Sequence, residues 1–301
     1  MPRHKLWSDE DPDDVPSYAG STEPDWSFPA APPTFSVSDD PIDGDGDRWS
    51  TWDLSTAGER GPAPYPEWVV TDLGAVDVEL GVLKTGKEAD VHLVRRAVPG
   101  TGGCLLAAKR YRDTRHRQFH RDAGYQEGRR VRRSRETRAM RTKTSFGREL
   151  LSGQWARAEF DALCTLWTLG AVVPYPVQVV GTELLLEFVG DEDGTAAPRL
   201  AEIPARGTEL DPLWEQVAEL LVVLARAGWA HGDLSAYNLL VDGARVVMID
   251  LPQVVDVVGN PQGPSYLDRD ARNVATWFTG RGRPVETDAL LALLRAEARI
   301  C

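Results

Sequence analysis

Hydrophobic and polar positions change their rhythm along this chain, and the changes mark its organisation. Residues 1 to about 65 carry no sustained period of 2 or 3.6 and are rich in Pro, Asp, Ser and Gly. Such a segment cannot bury enough apolar surface to offset its ordering entropy, so 1–65 is expected to be a disordered acidic tail. Order is expected to begin near Trp68. Val82-Leu83 and Val91 to Val94 read as strands on either side of a turn at Thr85, Gly86 and Lys87, and a Pro99–Gly103 turn leads into a third strand, Leu105 to Lys109. A helix from about Ser152 to Leu169 should stop at Gly170, followed by a hairpin of Val177–Val180 and Leu184–Val189 joined at Gly181. After Gly190 the period turns helical. Leu213 to Ala227 ends at Gly228, and two short strands, Leu239–Val241 and Val246–Ile249, flank an Asp242-Gly243 turn. Helical segments at about Ser265–Phe278 and Thr287–Ile300 finish the chain. The pattern predicts an α+β fold: a small N-terminal lobe of about five strands with one helix (66–190), then a mainly helical lobe (191–301).

Charge sharpens this division. The net charge of -12 is unevenly spread: the first sixty residues are acidic, whereas Lys109 to Arg148 holds fifteen Lys or Arg against four acids. The run 112–150 is therefore expected to be a flexible basic loop with an attraction for polyanions, or for the acidic tail itself. Cys104, Cys164 and Cys301 lack metal-type spacing, which points to reduced thiols and a cytoplasmic protein. No apolar run reaches the roughly 18 residues of a membrane span, so no membrane partner is expected.

The strongest chemical signal is His231-Gly232-Asp233-Leu234-Ser235-Ala236-Tyr237-Asn238, followed twelve residues later by Asp250. Asp233 and Asn238 lie on one loop, and the returning hairpin brings Asp250 to the same place. Taken singly, each is more often a turn or capping residue. Together, carboxylate and amide oxygens suit a hard cation such as magnesium, and the set matches what phosphoryl transfer needs.

These residues, with Lys84-Thr85-Gly86-Lys87-Glu88-Ala89, resemble the RIO family of atypical serine/threonine protein kinases, whose loop is S-T-G-K-E-A-like. The RIO1-like subgroup is the most similar. The resemblance runs from about Leu80 to Phe278. It implies a bilobal protein-kinase-like fold with a reduced C-lobe, acting on ATP with magnesium or manganese. Asp233 would orient the acceptor hydroxyl, and Asn238 and Asp250 would hold the metal. Lys109 would grip the phosphates and Glu159 would pair with it. The backbone at Thr85, Gly86 and Lys87 would cradle phosphate, and the hinge at Glu187 and Val189 would meet adenine. Asp250 is also the implied acceptor of a phospho-aspartate in ATPase-like turnover. His231 is expected to brace the loop rather than act as a base. The resemblance further implies a protein substrate, or the chain itself, and RNA or a ribosomal particle as a partner for the basic loop. Departures from ordinary kinases are visible: Leu251-Pro252 follows Asp250 instead of Phe-Gly, and no Ala-Pro-Glu follows. Two alternatives stand beside this one, a small-molecule phosphotransferase of the aminoglycoside or choline kinase type and a nucleotide-binding scaffold without turnover. The first needs a larger helical lobe than about forty residues between hinge and Asp233 allow, and the second has no use for Asp233.

Overall fold

A computed structural model describes residues 48–112, 145–252 and 254–300. Within them an antiparallel six-stranded sheet has the order β1-β2-β3-β4-β6-β5. Its strands are β1 (Arg48–Trp49), β2 (Val76–Thr85), β3 (Ala89–Ala97), β4 (Gly103–Tyr111), β5 (Pro176–Val180) and β6 (Glu183–Glu187). Helix α1 (Ser145–Thr168) enters before β5 and packs on one face. It begins at Ser145, inside the run expected to be a loop; residues 113–144 lie outside the described part.

Strand alternation divides the apolar residues between two cores. Leu184 and Leu186 join Phe160, Leu163 and Leu166 of α1 in the main core, while Leu185, Leu106 and Ala108 face the other way. What covers that second face comes from the stretch expected to be disordered. Trp52 is buried there with Val69, Tyr175 and Val177, and stacks edge-on against Tyr65 at 5.2 Å. The segment is tied to β5 by Gly61 N–H to the Val177 carbonyl (3.0 Å) and by the Tyr175 hydroxyl to the Pro62 carbonyl (2.9 Å). Composition hid this because the ordering contacts are supplied by a sheet more than a hundred residues away. The described residues thus reach back past Trp68 to Arg48, and residues 1–47 lie outside the described part.

A buried polar chain seals the same face. Arg96, fully buried, donates to both oxygens of Asp77 (2.7 and 2.9 Å) and to Gln178 Oε1 (2.7 Å), and Gln178 in turn donates to Thr51. Every charge is met by a partner, the condition for burying an ion pair without heavy loss.

The second lobe contains α2 (Asp211–Arg226), β7 (Trp229–Ala230), β8 (Leu239–Asp242), β9 (Arg245–Met248), β10 (Val255–Asp256), α3 (Gly263–Gly280) and α4 (Thr287–Glu297). Apolar residues at helical spacing on α2 (Leu213, Val217, Leu220, Leu224) pack against Val274 and Phe278 of α3 and Leu290 and Leu294 of α4. The β8–β9 hairpin forms as its sequence predicts, with Leu239 opposite Met248. Strand β7 pairs with β10, which holds the chain just before His231 against the stretch just after Asp250.

Candidate active site

Register carries the key lysine to the boundary between the lobes. On β4, Lys109 lies opposite Val91 of β3 and Leu184 of β6, on the face that α1 covers. From α1, Glu159 comes to meet it, 1% exposed. Lys109 Nζ donates to Glu159 Oε1 at 2.8 Å and to Asp250 Oδ1 at 2.6 Å. Burying a carboxylate is costly unless its oxygens are engaged, and both are. The Tyr111 hydroxyl donates to Oε2, and Leu251 N–H donates to Oε1 at 3.1 Å. Glu159 is thereby fixed, and with it Lys109.

The charges respond to one another. Burial works against the Lys109 ammonium, but Asp250 and Glu159 outweigh it and hold its pKa well above the usual lysine value. Burial likewise opposes ionisation of Asp250, and Lys109, Lys84 and His231 together hold its carboxyl below the usual carboxylate range. Burial and the Glu159 charge push the Tyr111 phenol well up. Asp250 also has φ 68°, a left-handed backbone that costs a non-glycine residue about 1 kcal/mol. Such strain marks a position where side-chain direction matters more than backbone ease.

Asp233 is presented by its neighbours. Gly232 N–H and Leu234 N–H donate to Asp270 of α3 at 2.8 and 3.0 Å. Asn273 Nδ2 donates to the Leu234 carbonyl at 3.1 Å, and Arg269 donates to the Gly232 carbonyl. One face of α3 thus grips the backbone on both sides of Asp233. The Asp233 side chain is left exposed, without a hydrogen bond or ion pair among the described residues. His231 is buried, with Nε2 3.1 Å from the Ile249 carbonyl, which places its proton on Nε2 and gives it the geometry of a brace.

Asn238 ends a short turn that Ser235 caps, and Ser235 Oγ donates to its Oδ1 at 2.8 Å. Its carbonyl accepts from Ile249 N–H at 2.9 Å, so Asn238 lies beside the residue that precedes Asp250. Among the described residues no three His, Cys, Asp or Glu side chains are grouped to hold a metal by themselves. The oxygens of an ionised Asp250 and of the Asn238 amide are donor types that fit magnesium, which takes one or two protein oxygens and completes its shell with phosphate and water.

The glycine-bearing turn lies at the end of β2. Gly86 N–H donates to the Ala89 carbonyl at 3.0 Å, and a Cβ at Gly86 would stand 2.8 Å from that oxygen, which explains the glycine. Thr85 and Lys87 are exposed, with no ion pair or hydrogen bond to the Lys109 cluster among the described residues. At the hinge, Glu187 is held by Tyr175 N–H (2.9 Å) and Arg245 (3.3 Å). The Val189 carbonyl accepts from Ala197 N–H at 3.0 Å across a turn where a Cβ on Gly190 would come within 2.2 Å of the Thr195 oxygen.

The pattern of motifs had no means to find Tyr111, Arg199, Arg269, Asp270 or Asn273. Their partners are backbone groups or carboxylates dozens of residues away. Arg199 donates to the Tyr237 carbonyl and bridges Leu240, which ties the segment after the hinge to the Asp233–Asn238 loop.

Comparison with known proteins identifies the family. The RIO domain family matches residues 104–290, from β4 into α4. The RIO-type serine/threonine-protein kinase Rio1 of Haloferax volcanii is 34% identical over 221 residues, 72% of this chain and 69% of that protein. The serine/threonine-protein kinase rio1 of Schizosaccharomyces pombe is 34% identical over 125 residues, 41% of this chain but only 25% of its own length. Among solved structures, the Rio2 kinase-ADP/Mg2+-phosphoaspartate complex of Chaetomium thermophilum superposes with TM-score 0.50 at 20% identity, covering 73% of this chain and 65% of that one, and shares the fold. The catalytic segment, the lysine-bearing β4 and the helix that supplies Glu159 all fall inside the matched range, and the chain belongs to the RIO family, on its RIO1-like side.

Proposed function

We propose that this chain is an ATP- and magnesium-dependent phosphotransferase of the RIO serine/threonine kinase type. One observation carries the reading: Lys109 is clamped between Glu159 and Asp250 while Asp233 stands free and exposed. A lysine fixed by two carboxylates is placed to grip phosphate oxygens, and an exposed, unengaged carboxylate is free to receive a proton.

Asp233 orients an acceptor hydroxyl and takes its proton as the oxygen bonds to the γ-phosphorus and the bond to ADP breaks. Asn238 and Asp250 hold magnesium, which when bound neutralises charge on the terminal phosphates. Lys109 holds the phosphates, and Glu159 keeps Lys109 in place. The turn at Thr85, Gly86 and Lys87 lines the phosphate end, with Gly86, whose own N–H is held by the Ala89 carbonyl, shaping it so that the neighbouring amides face the phosphates. At the hinge, backbone groups of Glu187 and Val189 meet adenine. The Val189 carbonyl already accepts from Ala197, so its amide is the group left for the base. The acceptor is a protein hydroxyl, on another chain or on this one, in the cytoplasm, and the basic stretch 112–150 is a contact for RNA or a ribosomal particle.

A second reading makes water the final acceptor through an acyl phosphate on Asp250. It is favoured by the phosphoaspartate named for the Chaetomium complex. Incubation with γ-labelled ATP and magnesium tests both. Acid-stable, hydroxylamine-resistant label on protein is expected for the kinase. Hydroxylamine-sensitive label with release of free phosphate would assign the second reading. Neither label nor released phosphate would remove both.

A further inference from the structure

The cleft holds more positive charge than Lys109 alone supplies. Lys84 lies on the same rung of the sheet: it pairs with Val91, and Val91 pairs with Lys109. Directly paired residues of an antiparallel sheet project to one face, and each strand step is about 5 Å. Lys84 and Lys109 therefore enter one space from backbones about 10 Å apart. Lys84 is partly buried, and the charges it feels are those of Asp250, Arg199, Lys109 and Glu159. Arg199 approaches from the second lobe, with Asp250 among its own electrostatic neighbours. Burial works against the charge of both Lys84 and Arg199. Three cations thus gather about Asp250; Arg199 has Glu202 at its side as well, and Glu159 is already engaged by Lys109, Tyr111 and the Leu251 amide. Such a gathering of positive charge favours a polyanion.

The S-T-G-K-E-A-like loop has serine where this chain has Lys84. We propose that Lys84 is a ligand of the terminal phosphate and gives this site its preference for a nucleoside triphosphate over the diphosphate. This rests on the nucleotide reading above. Lys84 stands directly before the Thr85-Gly86-Lys87 turn, half-buried, with Asp250 foremost among the charges that act on it.

Calorimetric titration of the full chain with ATP, ADP and AMP, each with magnesium, tests the assignment in the wild type, Lys84→Ser and Lys84→Arg. The Ser variant should bind ATP about tenfold more weakly, the worth of one charge-assisted hydrogen bond, with ADP changed by less than about threefold and AMP unchanged. The Arg variant keeps the charge and should retain the preference for ATP. Lys84→Met keeps the aliphatic stem and carries the same expectation if the Ser variant does not fold. Equal losses for ATP and ADP, or an unchanged ratio, would overturn the assignment of Lys84 alone. A wild-type chain that binds none of the three would overturn the nucleotide reading and this one with it.

Discussion

Lys109 serves two carboxylates with one ammonium, so its loss has two separable consequences. Lys109→Met should cost about 3 kcal/mol of stability, because Glu159 is left as a buried charge without its cation. Adding Glu159→Gln, which removes the charge but keeps an oxygen for the Tyr111 hydroxyl and the Leu251 amide, should recover most of that in urea unfolding, while phosphate transfer stays lost in both variants. Recovery of transfer along with stability would make the pair structural only. Asp233 behaves in the opposite way: exposed and unengaged, it contributes little to folding. Asp233→Asn should keep ATP affinity within several-fold and lower turnover by about 100-fold, the effect of losing a positioned base. Unchanged turnover in that variant would take Asp233 out of the mechanism. Asp233, Asn238 and Asp250 were legible in the sequence because they stand close together between apolar strands. Asp270 was not, since its partners are the amides of Gly232 and Leu234, which no side-chain pattern encodes. Its carboxyl also sets a pH response. Burial raises its pKa against the pull of His231 and those two amides. A raised value means that the folded state holds the proton more tightly. Its contribution is therefore greatest below about pH 4, where the unfolded carboxyl is also protonated, and declines as pH rises through the folded value. Asp270→Asn should remove that decline from melting curves taken across this range; an identical slope in the variant would assign it elsewhere.

At the scale of elements, a strand that meets protein on both faces shows no alternation in its sequence. β6 is the clear case: Leu184, Leu185 and Leu186 read as a plain apolar run, and the sheet divides them between two cores. The layer formed by residues 48–70 was not readable, because one buried tryptophan among prolines and acids carries no period. Its energy is concentrated in Trp52. Trp52→Ala should destabilise the fold by about 3–5 kcal/mol in denaturant titration, with nucleotide affinity of the still-folded protein unchanged. A change below about 1 kcal/mol would mean that this layer merely rests on the sheet. Arg96 links the layer to β2 and β5 through Asp77 and Gln178, so the strands that flank the phosphate turn and the residues before it form one unit.

For the whole molecule, the metal site proposed at Asp250 and Asn238 would make nucleotide and metal act jointly. ATP at 100 times its dissociation constant should stabilise the fold by about 2.7 kcal/mol when magnesium is present, and by much less when the ion is chelated. Equal shifts with and without the ion would detach the carboxylate and amide from binding. The division into a strand-rich and a helical part followed from periodicity alone. The joint between them did not, because it consists of contacts such as Glu159 with the Leu251 amide and Glu187 with Arg245 that local sequence does not announce.

The cover that residues 48–70 give the sheet has a practical side. A fragment trimmed to 104–290 would strip β1, β2 and β3 from the sheet. β4 would become a bare edge, with its ladder of amides and carbonyls open to pairing with other molecules. Leu106, Tyr175 and Val177 would lose the cover of Trp52 and Val69. Such a piece is expected to precipitate or self-associate, whereas one that begins ahead of Arg48 should remain monodisperse.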